Sequence, residues 1–250
     1  MFTDTHCHLS KDDYENVDEI IERAKENNID RLIICGCDKK GIVEAVEIAN
    51  NYPNVYLELG FHPSETSTTT DEDINWLKEL IKSNNKVVAI GEIGLDYYWE
   101  KDNKEEQKKL FIKQIELSKE LNLPVVIHSR DSFQDTYDIL KEANVKGDIH
   151  CFSGSLENAK RYTSLGFFLG IGGVLTFKNT NLRDTLKEIP MEYILLETDS
   201  PYLAPVPFRG EQNEPKNVKI VAETLSNIKE ITLKEVSKIT ENNIKRLFNI

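Results

Sequence analysis

The chain is poor in cysteine, in basic charge and in long apolar runs. Four cysteines in 250 residues cannot build a disulfide framework, so a reduced, cytoplasmic protein is the expectation. No apolar stretch approaches the roughly 18 residues of a membrane span, and no membrane association is expected. The opening run Met1-Phe2-Thr3-Asp4-Thr5-His6-Cys7-His8 lacks a basic segment followed by an apolar one, which argues against a secretory signal. Lys and Arg number 31 against 43 Asp and Glu, a formal net charge of -12. That balance excludes the bulk basic face of an ordinary nucleic-acid binder. A phosphate substrate would therefore need local positive charge, from bound metal ions or a few placed arginines. The first strand is followed by no Gly-rich phosphate loop. There is no Pro/Gly/Ser-rich linker, no low-complexity block and no convincing repeat at fixed period. No helix-turn-helix, zinc-finger or OB-type signature offers sequence-specific readout.

What is present is an alternation of short apolar strands and amphipathic helices. Strands are predicted over 2–6, 31–37, 55–61, 87–92, 125–128, 148–151, 167–172 and 193–199. Several are nearly continuous apolar runs, such as Val87-Val88-Ala89-Ile90 and Pro124-Val125-Val126-Ile127, as in parallel strands covered on both faces. Helices are predicted over 17–28, 71–83, 105–121 and 155–165, with closing helices over 218–228 and 233–248. Ser155 is a plausible N-cap and Gly166 a plausible residue just past a helix end. The charged run 101–109 reads as a solvated helix face. Eight strand–helix units in this length predict a single domain over 1–250, a TIM-type (β/α)8 barrel of the α/β class.

All five histidines, His6, His8, His62, His128 and His150, fall at or just beyond the C-terminal end of a predicted strand. In a barrel that is the face that carries active sites. His6 and His8 are two apart, so in a strand both rings point to one side. Cys7 then faces the helix layer, as does Cys151 beside His150; Cys35 and Cys37 read as strand fillers. Two carboxylates stand at other strand ends: Glu92, after Val, Val, Ala, Ile and Gly, and Asp199, after Ile194-Leu195-Leu196. A charge at such a place is costly unless it is paired or binds a metal. The set His6, His8, Glu92, His128, His150 and Asp199 exceeds what one tetrahedral ion needs. It suits two divalent ions sharing a carboxylate, a clamp for the attacking and leaving oxygens of a displacement. Four neutral imidazoles and two carboxylates against two divalent cations leave the site locally positive. Imidazole-rich ligation suits Zn, Mn, Fe or Ni, whereas Mg prefers oxygen.

With these residues in place, the chain resembles the TatD-related deoxyribonucleases, metal-dependent hydrolases with an amidohydrolase-like TIM barrel. The resemblance is carried by Asp4-Thr5-His6-Cys7-His8, Gly60-Phe61-His62-Pro63, Gly91-Glu92-Ile93-Gly94-Leu95-Asp96-Tyr97, His128-Ser129-Arg130, His150-Cys151-Phe152-Ser153-Gly154 and Glu197-Thr198-Asp199-Ser200-Pro201. It implies that His6, His8 and Asp199 hold a first metal and that His128 and His150 hold a second. Glu92 would bridge the two. The family is often described as Mg-dependent, which pulls against the imidazole-rich set.

Asp199 could also take the proton of the attacking water, which makes Asp199 and Glu92 the candidate catalytic residues. His62, outside the ligand count, is assigned to the substrate phosphate or leaving group. Arg130, two past His128, and Arg209, after the last strand, are further anion partners. Asp96, Glu197 and Tyr97 are left between packing and substrate contact. The resemblance implies a DNA substrate, single-stranded and attacked at a strand end in the 3′→5′ direction, by an enzyme expected to be a monomer. A dinuclear hydrolase of an ester, amide or aminoacyl-tRNA bond is the alternative.

Overall fold

The computed structural model describes residues 1–250. The strands are β1 (Phe2–Cys7), β2 (Ile29–Gly36), β3 (Val55–Leu59), β4 (Val87–Asp96), β5 (Val125–Arg130), β6 (Gly147–Ile149), β7 (Phe168–Ile171) and β8 (Ile194–Leu196). They form one sheet in chain order from β1 to β8. The helices between and after them are α1 (Val17–Glu26), α2 (Lys39–Asn51), α3 (Asp71–Lys82), α4 (Lys104–Leu121), α5 (Phe133–Ala143), α6 (Leu156–Ser164), α7 (Leu182–Glu188), α8 (Val218–Lys229) and α9 (Leu233–Phe248). Strand–helix alternation with strands ordered as in the chain is the connectivity of a (β/α)8 barrel. No helix is long and apolar enough to cross a membrane.

The chain, read from sequence as one domain, divides into two compact units: 1–34 with 150–250, and 35–149. In the first, β8 returns to β1. The Asp199 amide donates to the His6 carbonyl at 3.0 Å, and the Thr5 hydroxyl to the Leu196 carbonyl at 3.1 Å. Helix α9 starts at a capping box in which Thr232 and Glu235 satisfy each other's backbone amides. Its Asn243 side chain donates to the carbonyls of Met191 and Ile194 at 2.8 Å each, tying the helix to the start of β8. Asn213, fully buried, gathers the loop after β8: its side chain donates to the Thr198 and Tyr202 carbonyls at 2.9 and 2.7 Å. Its own carbonyl takes the Tyr14 hydroxyl at 2.6 Å.

In the second unit, β4 pairs in parallel with β3 and with β5, and all ten of its residues are buried. A strand enclosed on both faces needs a continuous apolar run, which Val87–Ile90 supplies. Helix α3 opens at a Thr70–Asp73 capping box, with three acids in the first turn, where the helix dipole favours them.

Several elements differ from the sequence reading. β4 runs on through Asp96 and does not stop at Glu92. β8 is short, ending at Leu196, and Asp199 beyond it has φ of 55° and has left the extended region. Helices α2, α5 and α7 are additional. The solvated run 101–109 is interrupted by Gln107, which is fully buried. Its side chain takes the Asp96 amide at 2.8 Å and donates to the Glu100 carbonyl at 2.8 Å. Ser155 and Gly166 hold the predicted roles. The Ser155 side chain caps α6 and Gly166, at φ of 86°, follows its end.

Candidate metal centre

In the first unit His6, His8, His150 and Asp199 come together. His6 lies within β1 and His8 just beyond it, and their Nε2 atoms stand 3.2 Å apart, as the alternation of a strand requires. His150 follows β6, and its ring stacks on that of His6 with centroids 4.0 Å apart. Asp199 follows β8; its Oδ1 lies 3.7 Å from His6 Nε2 and 3.5 Å from His8 Nε2. The left-handed backbone of Asp199 turns the chain out of the strand, a conformation that aspartate tolerates better than most residues. Donor atoms of His6, His150 and Asp199 all lie within 4.8 Å of one another. Two neutral imidazoles and a carboxylate, with His8 alongside, are a donor set that fits a transition-metal or zinc ion with a position left open. Burial works to raise the Asp199 carboxyl, but His8, His150 and His6 outweigh it and hold it below the usual carboxylate range.

Two buried acids support this group. Glu197 Oε1 takes the Cys151 amide at 2.6 Å and lies 3.6 Å from His150 Nδ1. Its other oxygen occupies the space beside Gly170, where a Cβ would come within 2.1 Å of it. Asp4 takes the Thr198 amide at 2.9 Å and the Thr198 hydroxyl at 2.5 Å. It thereby fixes the segment that presents Asp199. Burial pushes the Asp4 carboxyl well above its ordinary range, against the Thr198 hydrogen bond that favours the ionised form.

In the second unit β4 presents Glu92 and Asp96, β5 presents His128, and His62 follows β3. His128 lies between the acids: Nδ1 is 2.6 Å from Glu92 Oε1 and Nε2 is 3.1 Å from Asp96 Oδ2. His62 Nε2 lies 3.9 Å from Glu92 Oε1. Donor atoms of His62, Asp96 and His128 lie within 4.8 Å of one another, a second set able to hold a cation. Gly94 makes the arrangement possible, because at φ of 146° a Cβ there would lie 2.0 Å from the His128 carbonyl oxygen. Burial works to raise the Asp96 carboxyl, but His128 and the amides of Trp99 and Tyr98 hold it low.

His62 Nδ1 accepts the backbone amide of Ser64 at 3.1 Å. A nitrogen that accepts an N–H carries no hydrogen, so the neutral ring bears its hydrogen on Nε2. His62 is therefore a donor on the side that faces Glu92. Arg130 lies against aromatic rings, 4.3 Å from the centroid of Tyr98 and 5.5 Å from that of Trp99. Arg209 lies 3.8 Å from the centroid of Phe177. Cys7 is buried, its thiol on the Ile33 carbonyl at 3.5 Å. Burial also raises the Cys35 thiol, which keeps it protonated. Sequence reasoning left Asp96 undecided and gave Asp4 no role. The spacing of Glu92 and Asp96, four apart in one strand and so on the same side, was the available signal for the first.

A family described as TatD related DNase matches residues 3–249. An uncharacterized metal-dependent hydrolase of Bacillus subtilis, YabD, is 46% identical over the whole of both chains. The Escherichia coli K12 uncharacterized metal-dependent hydrolase YcfH is 37% identical, covering 100% of this chain and 96% of its own. Among solved structures, YjjV of Escherichia coli K12, a TatD homologue, is 31% identical with a TM-score of 0.94, covering 100% of this chain and 98% of that one. The barrel connectivity, the histidines and acids at its strand ends and this likeness over the full length agree: the chain belongs to the TatD family of metal-dependent hydrolases.

Proposed function

We propose that this hydrolase cleaves phosphodiester bonds of single-stranded DNA, removing nucleotides from the 3′ end. The observation that carries the reading is the meeting of three imidazoles with Asp199 at the ends of β1, β6 and β8. That donor set belongs to a chain whose family is described by DNase activity. In this reading His6, His8 and Asp199 would hold one divalent ion and His128 and His150 a second, with Glu92 as the shared carboxylate. Bound ions supply a Lewis acid for the phosphoryl oxygens and a water made acidic enough to attack near neutral pH. They also supply the positive charge that a chain of net charge -12 lacks.

Asp199, held ionised by its histidine neighbours, accepts the proton of the attacking water. His62 donates its Nε2 hydrogen to a phosphate oxygen or to the departing oxygen. Arg130 and Arg209 pair with phosphates along the strand. Strand binding in this reading is independent of base sequence. The protein acts as a monomer in the cytoplasm.

The test is a 5′-labelled single-stranded oligonucleotide incubated with metal-stripped protein and with protein given Mg, Mn, Zn, Fe or Ni, with Asp199→Asn as control. A metal-dependent ladder shortening from the 3′ end, absent in the variant, supports the reading. An intact oligonucleotide under every metal overturns it, and turnover of a carboxylic ester, amide or aminoacyl ester would then assign the centre to carbonyl chemistry.

A further inference from the structure

The turn after β4 exposes two large aromatic side chains that the fold does not use. Trp99 is 68% exposed and Tyr98 44%, although residues of this size are normally mostly covered. The turn beneath them is built, not loose. Asp96 Oδ1 takes the amides of Tyr98 and Trp99 at 2.9 and 2.8 Å. The Tyr97 amide donates to the Arg130 carbonyl at 2.9 Å, and the Tyr97 hydroxyl to Asp135 at 2.7 Å. The two rings meet edge to face with centroids 4.8 Å apart. Arg130 lies against both, and Lys101 Nζ stands 5.9 Å from the Tyr98 centroid.

We propose that Tyr98 and Trp99 form a stacking platform for a nucleobase of a single-stranded nucleic acid, with Arg130 backing the rings and paired to the neighbouring phosphate. The inference rests on the phosphodiesterase reading, and it names how that site would hold its strand. Every base has a π-face, and stacking on an aromatic side chain is tolerant of sequence. A partner that is both planar and anionic complements rings with cations laid against them; an apolar protein segment complements only the rings. Glu100 and Asp102 lie on the same turn, so bulk charge does not recruit the strand and ring contact must. Asp96 couples the platform to the centre: one of its oxygens holds the Tyr98 and Trp99 amides, and the other faces His128 Nε2 at 3.1 Å. A base seated on the rings is thus positioned relative to the candidate ligand of β5.

The experiment measures fluorescence anisotropy of labelled phosphorothioate dT8 and dT2, which resist hydrolysis, on the metal-loaded full chain. Wild type is expected to bind dT8 more tightly than dT2. Trp99→Ala and Tyr98→Ala should each weaken dT8 binding by roughly 5- to 150-fold, the range for loss of one stacked base, and Trp99→Phe should retain most of it. Both side chains are exposed, so folding is not at stake. Unchanged dT8 affinity in both alanine variants, or no dT8 binding by wild type, overturns the platform. Strand binding through Trp99 with no hydrolysis under any metal overturns the nuclease reading and leaves the platform standing. Hydrolysis with unchanged dT8 affinity in both alanine variants does the reverse.

Discussion

The two groups of candidate ligands differ in composition, and the difference bears on the ion each prefers. The group at the ends of β1, β6 and β8 has three imidazoles and one carboxylate, Asp199, 13% exposed. The group on β4, β5 and the turn after β3 has two imidazoles and two buried carboxylates. With neutral rings the first carries one negative charge and the second two. Imidazole-rich sites favour later transition metals and zinc, and carboxylate-rich sites favour harder ions such as Mn and Mg. The acids are concentrated on β4, and a harder ion such as Mn or Mg would be favoured there over zinc.

The comparison can be broken or sharpened by four changes. The largest effect is expected from Asp199→Asn, which removes both a candidate ligand and the proposed proton acceptor. Hydrolysis should fall at least about 10³-fold, general-base loss alone being worth roughly 10²–10⁴. Metal analysis should show one equivalent of zinc-like metal lost; full retention of both metal and activity would remove Asp199 from the centre. Next, Asp96→Asn should weaken metal binding by about 10- to 100-fold, the usual cost of losing an acid that holds or orients a ligand. The loss should be greater for Mn or Mg than for Zn, read by titration against a competing chelator. An equal loss for all metals would erase the proposed difference between the groups.

A third change, Gly170→Ala, sets a methyl against Glu197, where a Cβ would lie 2.1 Å from Oε2. Displacing a buried carboxylate that bonds the Cys151 amide should cost about 1–3 kcal/mol in thermal or urea unfolding. Occupancy of the first group should be disturbed more than that of the second. The smallest effect concerns Glu214, away from both groups. Burial works to raise its carboxyl, but Arg23, bonded at 2.9 Å, and Lys216 hold it low. A folded pKa below the unfolded one means that the unfolded chain binds more protons as the pH falls. The stabilisation is present above the ordinary glutamate range and is lost as the pH falls through the lower folded value. Glu214→Gln should therefore lower Tm at pH 7 by an amount worth about 1 kcal/mol or less, and the difference from wild type should vanish in acid. A difference that persisted in acid would show that packing, not charge, holds the residue.

The site was more legible in the sequence than the helices around it. Histidines at strand ends stand out because a polar ring after Val125-Val126-Ile127 interrupts an apolar run. Glu92 and Asp199 stand out for the same reason. Asp96 was obscured by Gly91 and Gly94, which read as the end of a strand. In the fold Gly94 lets β4 continue, since the His128 carbonyl sits where a side chain would be. Helix α5 buries only Thr136 and Leu140, one of them polar. Helix α2 buries Ala45 and Ala49 beside Ile42 and Ile48, a face half made of alanine. Asp4 lay hidden because a buried acid bonded to Thr198 is a tertiary pairing across 194 positions.

The loop after β8 leaves at Tyr202 and returns at Asn213, and the two are joined by the Asn213 side chain and its amide, which donates to the Pro201 carbonyl at 3.0 Å. Between them Ala204 and Pro205 are buried, the Val206 amide donates to Thr176, Arg209 lies on Phe177 and the Gln212 side chain donates to the Asp13 carbonyl. A loop pinned at its neck and exposed from 206 to 212 is a place where a chain can gain or lose residues without disturbing its frame. Asn213 therefore separates two kinds of evolutionary freedom. The exposed residues around Arg209, within 206–212, can vary in length and composition, and with them the rim that a substrate meets, while Asp199 and the turn that presents it stay in register.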